Sequence, residues 1–175
     1  PGPDQIPSYI VKGCSDILKL PLHNIFNKSL ISSRFPTKWK LANVTPIPKG
    51  NAGQREVKNH RPVAIISTPS KLFESILYNR IFTHIQTIIS PAQHGFLPKR
   101  STTTNLMEFV HDITSQIGNK TQVDVIYTDF SKAFDSVDHD ILLSKLNSFN
   151  FTHSFRQFLA LIYLNASTGY YIKKS

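Results

Sequence analysis

Only one cysteine, Cys14, stands among 175 residues. No disulfide framework and no multi-cysteine zinc site can be built from one thiol, and a reducing compartment suits such a chain. Acidic residues are scarce as well: 11 Asp and Glu against 20 Lys and Arg leave a formal net charge of +9. That balance favours a polyanionic partner, nucleic acid before an acidic membrane surface. No apolar run approaches the length of a membrane-spanning helix. Internal repeats and low-complexity tracts are missing too, which sets solenoids and arrays aside. What is present, 40% hydrophobic residues with 7 Gly and 11 Pro spread along the chain, fits one globular unit or most of one. The sequence opens on Pro1 and closes on Lys173, Lys174 and Ser175, so a piece of a longer protein is expected.

Read in order, the patterning predicts two short helices over residues 6–20 and 22–31, separated by Pro21, the second with Leu22, Ile25, Phe26 and Leu30 on one face. From Arg34 to Arg61 the chain is basic, with a net charge of +6 over 28 residues. Inside that block WKLANVTPIP and HRPVAII read as two strands, Pro46 and Pro48 ending the first and Lys49-Gly50-Asn51-Ala52-Gly53 turning the chain. Such a hairpin can close over phosphates, Lys49 acting as a point charge and Arg61 as a bidentate fork. The same charges equally suit a solvated face. Thr68-Pro69 reads as a helix start, the Thr68 hydroxyl capping, with Leu72, Phe73, Ile76, Leu77, Ile81 and Ile85 on a buried face that ends near Ser90-Pro91. A loop with Gly95, Pro98, Lys99 and Arg100 leads into a helix carrying Leu106, Phe109, Val110, Ile113 and Ile117, stopped at Gly118. Phe155, Phe158, Leu159 and Ile162 mark a further helix, and residues 169–173 a strand.

The most informative stretch is VDVIYTDFSKAFDSVDHDILLSKL, residues 123–146. Val123, Val125 and Tyr127 alternate with Asp124, Ile126 and Thr128, as in a strand that delivers Asp129 to the edge of a sheet beside a turn. Asp138, before Ile141, Leu142 and Leu146, reads as the cap of an amphipathic helix. Five of the 11 acids, Asp124, Asp129, Asp135, Asp138 and Asp140, fall within 17 residues. Asp129 suits a hard cation such as Mg2+, which takes one or two carboxylates plus substrate phosphates, and it equally suits a surface turn. An EF-hand is excluded because Gly and a terminal Glu do not fall at the required spacing. A phosphotransferase nucleophile at Asp129 would want a second Asp two residues on, where Ser131 stands. The seven histidines show no paired ligand spacing and read as structural or surface residues. Carboxylates gathered in one stretch and cations in another form the arrangement expected for nucleotidyl transfer, where positioning and charge neutralisation do the catalysis.

WKLANVTPIPKG, NHRPVAIISTPSKLFESILYNRI, QHGFLPKRSTTTNL and YTDFSKAFDSVDHDILLSKL resemble, in order and spacing, the reverse transcriptases of non-LTR, LINE-type, jockey-like retrotransposons. The resemblance covers essentially the whole chain. It implies an α+β right-hand polymerase fold, with fingers over residues 1–118 and an incomplete palm over residues 119–175. It implies an RNA-directed DNA polymerase that uses an RNA template, a DNA primer, dNTPs and two Mg2+ ions, in an intracellular ribonucleoprotein, nuclear or cytoplasmic, with no membrane partner. By the same resemblance Asp129 is a catalytic aspartate that binds Mg2+ with the Phe130 backbone carbonyl, Lys49 and Arg61 clamp the triphosphate, Phe134 is the steric gate against a 2'-hydroxyl, and Lys99 and Arg100 contact nucleic acid. Asp135 matches the pattern as a structural hydrogen-bond acceptor. Two positions depart from it: His60 stands where the family usually has Tyr, and Leu97 where it usually has Arg. The glycine-rich segment and the A-D-D block that complete such a site are expected beyond Ser175, so residues 1–175 alone are expected to be inactive. The alternative is a nucleic-acid-binding, non-catalytic remnant of a decayed retroelement.

Overall fold

The computed structural model describes residues 1–49, 59–131, 133–134 and 136–166. In chain order the elements are α1 Ser8–Gly13, α2 Ser15–Ile31, a 3-10 turn Thr37–Lys40, β1 Ala42–Pro48, β2 His60–Ile66, α3 Thr68–Ile85, α4 Thr102–Gly118, α5 His139–Ser148 and α6 His153–Ala166. Contacts divide the chain into two units, Pro1–Ile81 with Asp138–Ser175, and Phe82–Val137. Chain length predicts one.

In the first unit aromatic side chains from three other segments converge on Phe73 of α3, which is fully buried. Its ring stacks on Phe26 of α2 with centroids 4.7 Å apart and on Phe35 at 5.8 Å, while Trp39 of the 3-10 turn and Phe158 of α6 lie 5.9 and 5.8 Å away. Phe35, Leu77 and Phe158 complete the buried cluster, with Leu30, Phe155 and Ile162 packed around it. The expected α3 face is narrower than its sequence pattern: Phe73 and Leu77 are buried, whereas Leu72 and Ile76 are exposed. The helix also ends at Ile85, short of Ser90. The helix includes Thr68 itself, one residue earlier than a Thr68 cap requires. Its first bond runs from the Lys71 N–H to the Ser67 carbonyl at 3.1 Å. Ser70 Oγ, also fully buried, lies 3.3 Å from the Trp39 carbonyl and 3.2 Å from Glu74 Oε1, so its one proton is shared between the two acceptors. Burial pushes the Glu74 carboxyl above its ordinary range, against the lowering effects of the Ser70 hydrogen bond and the Lys71 charge.

Pro21 departs from expectation, and the hairpin prolines do not. Pro21 lies inside α2, and the break between α1 and α2 falls at Cys14, where φ is −97° and ψ 18°. The Ile17 carbonyl, deprived of its usual N–H partner by Pro21, sits on an exposed turn where water can take its place. β1 ends at Pro48, as its sequence predicts, but begins only at Ala42, because Trp39 and Lys40 belong to the 3-10 turn. Pro46 and Pro48 belong to the strand, with Pro46 opposite Pro62 and Pro48 opposite His60 in an antiparallel ladder that runs from Ala42↔Ile66. The Lys49 N–H donates to the Asn59 carbonyl at 2.7 Å, which fixes the alternation. Lys49, Ile47 and Thr45 fall on rungs that exchange hydrogen bonds, and Pro46, Pro48 and Pro62 fall on rungs that do not. A missing N–H therefore costs the ladder nothing. The expected loop over residues 50–53 and the other charges of the hairpin tip lie outside the described residues.

Asp138 caps α5 as its sequence predicts, accepting from the Asp140 and Ile141 N–H groups at 2.9 and 3.0 Å. α6 bears the expected Phe158 and Leu159 on its buried side.

The second unit holds α4, capped by a reciprocal Ser101 and Thr104 pair. Its only buried residue among those described is polar, His94. Residues 121–130 are irregular and exposed throughout, so the strand expected before Asp129 is not formed. Alternation supplies two faces but not a partner, and the described residues pair no other strand with this stretch. The second expected strand, over residues 169–173, lies outside the described residues.

Phe73→Ala should lower unfolding free energy by about 3–5 kcal/mol, read from the shift of the denaturant midpoint. Gly2 is buried, and a Cβ there would meet the Ile66 carbonyl group and Ser67 Cα at 2.7 Å, all of it backbone. Gly2→Ala should cost roughly 1–3 kcal/mol in the same titration, because backbone cannot swing aside as a side chain does.

Candidate nucleotide and nucleic-acid site

The ladder register decides where Lys49 and Arg61 stand. Residues directly opposite in an antiparallel pair share a face, and residues two apart on one strand share it again. Ile47 is opposite Arg61, and Lys49 follows Ile47 by two. Lys49 and Arg61 are therefore diagonal neighbours on one face of the ribbon, with backbones about 7 Å apart. Both are exposed, as are residues 45–48 and 61–64 of the ribbon, whereas His60 is half-buried and Ala42 at the root is buried. Spacing and charge suggest a clamp; the register gives it a common face.

The carboxylate candidates lie in the other unit. Asp129 is exposed on the irregular stretch, followed by Phe130, which is 81% exposed. Phe134 is 79% exposed, and its ring meets that of Phe96 edge to face, with centroids 6.0 Å apart and planes at 82°. Asp135 lies outside the described residues. Among the described residues no group of three or more His, Cys, Asp and Glu side chains could hold a metal ion. An exposed Asp129 fits Mg2+, which keeps several waters and binds through one or two carboxylates plus phosphate oxygens. No helix of the described residues is long and apolar enough to cross a membrane.

Lys99 and Arg100, a like pair in the sequence, do different things. Lys99 is exposed in a left-handed conformation, with φ 63°. Arg100 turns towards a polar knot around the buried His94 ring, a cluster that sequence reasoning missed. His94 Nε2 lies 2.6 Å from Glu108 Oε2, and its Nδ1 lies 3.1 Å from Thr104 Oγ1. A carboxylate can only accept, so Nε2 donates to Glu108. Arg100 Nη1 approaches the same nitrogen at 3.1 Å, but a nitrogen that donates its proton cannot also accept one. What holds the guanidinium there is the Glu108 charge at 3.8 Å. The available signal was Thr104 and Glu108, four residues apart and hence on one face of α4, behind a loop that opens with His94.

The structure thus gathers Lys49 with Arg61 in one unit, and Lys99, Arg100, Asp129, Phe130 and Phe134 in the other. Comparison with known proteins places this set in context. The sequence pattern of the reverse transcriptase (RNA-dependent DNA polymerase) family matches residues 47–175. Over 149 residues, 83% of this chain, it is 30% identical to the probable RNA-directed DNA polymerase from transposon BS of Drosophila melanogaster. Over 147 residues, also 83%, it is 29% identical to the RNA-directed DNA polymerase from mobile element jockey of the same species. Over 128 residues, 73%, it is 29% identical to a retrovirus-related Pol polyprotein from the type-1 retrotransposable element R2 of Popillia japonica. The chain spans only 16–17% of the length of these relatives. With the family pattern covering every candidate residue from Lys49 to Phe134, the chain belongs to the reverse transcriptase family.

Proposed function

We propose that these 175 residues form the nucleotide-handling part of an RNA-directed DNA polymerase, with fingers over residues 1–118 and the start of the palm over residues 119–175 of a right-hand architecture. The observation that carries the reading is the pair of cations, Lys49 and Arg61, sharing one exposed ribbon face in a chain of this family. A point charge beside a planar fork suits a triphosphate. Asp129, with the Phe130 carbonyl, would hold Mg2+. When bound, such ions neutralise phosphate charge and polarise the attacking and leaving oxygens. Asp129 contributes the negative oxygens that fix their position, and Phe134 presents an aromatic wall to the sugar. Lys99, facing solvent, touches the phosphates of an RNA template or DNA primer, and Arg100 supports its loop.

In the complete polymerase Asp129→Asn should lower primer extension at least about 10²-fold while primer–template affinity stays within twofold, because the lost charge acts on the reaction and not on docking. The isolated 1–175 polypeptide should extend no primer, since two-metal transfer needs further carboxylates than Asp129. Incorporation by that polypeptide which disappears in Asp129→Asn would overturn this part of the reading.

Lys49→Ala and Arg61→Ala should each weaken dNTP binding by roughly 10- to 150-fold, the equivalent of one charged hydrogen bond, and weaken primer–template binding far less. Equal losses for both ligands in equilibrium titrations would assign the ribbon to template instead.

Lys99→Ala should reduce the slope of log affinity against log salt by about 1 without altering thermal stability. Arg100→Ala should lower the melting temperature as well, since it leaves Glu108 without its cation.

A further inference from the structure

Phe96 is the outlier of the second unit. It is 85% exposed, and its backbone is left-handed, with φ 63°. For a bulky residue that conformation is strained and persists only where the surroundings enforce it. The enforcement is visible on both sides. Gln93 donates to the Gly95 carbonyl at 3.0 Å, the Arg100 N–H donates to the Leu97 carbonyl at 3.3 Å, and His94 is bonded to Thr104 and Glu108 of α4. A strained aromatic that buries little of itself gains little from its own hydration change. Its ring contact with Phe134, edge to face at 6.0 Å, is what the loop conformation delivers. Phe134 is itself 79% exposed and sits on a stretch without regular structure, so its own segment gives it few neighbours to fix a rotamer.

We infer that Phe96 is a positioning residue for sugar selection: the loop pinned by His94 holds the Phe96 ring against Phe134 and keeps the Phe134 ring in the orientation that excludes a ribose 2'-hydroxyl. This rests on Phe134 being the gate. Phe96 touches no reacting atom in this scheme. It narrows the angular freedom of the ring that does, so its loss loosens discrimination between dNTP and rNTP and leaves the metal requirement and the dNTP rate in place.

The test measures kcat/KM for dCTP and for CTP in primer extension by the complete polymerase, with Phe134→Ala, Phe96→Ala, Phe96→Tyr and the double variant Phe96→Ala/Phe134→Ala beside the native protein. Phe134→Ala should open the site to CTP. Phe96→Ala should shift the dCTP/CTP ratio in the same direction by roughly 2- to 10-fold, the scale of one aromatic pair. Phe96→Tyr, which keeps the ring, should restore the native ratio, and Phe96→Ala should add nothing once Phe134 is gone. If Phe134→Ala opens the site and Phe96→Ala does not, the gate stands and the positioning role is wrong. Equal discrimination in the native protein and Phe134→Ala removes the gate and this inference with it. A change in Phe96→Ala that persists undiminished in the double variant, or that Phe96→Tyr shares, shows a general disturbance of the loop and also overturns the inference. Circular dichroism melts of each variant separate all of these from simple unfolding.

Discussion

The packing of aromatic rings around Phe73 is the constraint on which the first unit depends. Three segments far from α3 or from one another in sequence, α2, the Phe35 to Trp39 stretch and α6, each bring a ring within 6 Å of it. Large flat side chains suit such a junction, since each buries much area for two rotatable bonds, and offset or edge contacts add specific geometry. The cluster sets the direction in which the chain leaves Trp39, and β1 begins two residues after the turn that carries it. The basic ribbon is thus held at its Ala42 and Ile66 root, while residues 45–48 and 61–64 are exposed.

The second unit solves the same problem with polar chemistry. Its described part buries a histidine in place of an apolar side chain, and hydrogen bonds from that ring to Thr104 and Glu108 tie the 93–100 loop to α4. Polar fastening of this kind is directional. It fixes torsions that hydrophobic contact would leave loose, including the left-handed backbone at Phe96 and Lys99. The cost is sensitivity, because removing Thr104 or Glu108 leaves the buried His94 ring short of a partner.

Much of this is legible in the residues, and the failures share a cause. The two strands of the ribbon, α4 with its stop near Gly118, the Asp138 cap and the aromatic face of α6 all follow from local periodicity and cap chemistry. Pro21 looks like a breaker, and Pro46 and Pro48 look costly to their ladder, because proline is judged by what it removes. Whether the removed N–H was needed depends on partner register, which one strand does not contain. The 123–129 stretch fails the same way, since alternation records which side chains share a face and not whether a neighbour is present. His94 has no second ligand at short spacing to mark it, and its partners lie 10 and 14 residues on. The likeness to reverse transcriptases needs none of this, because it rests on the order of four blocks.

The prolines of the ribbon carry one more consequence. Among the described residues the ribbon has two strands and so two open sides, each an invitation to a third strand from another chain. On β1 the outward rungs are Ala42, Val44, Pro46 and Pro48, and on β2 they are His60, Pro62, Ala64 and Ile66. Proline has removed two of the four outward donors from one side and one from the other, all in the solvent-exposed half. Fewer backbone donors are left there for another chain to pair with. The prolines that mark the end of β1 in the bare sequence thus also thin the edge on which aggregation could be templated.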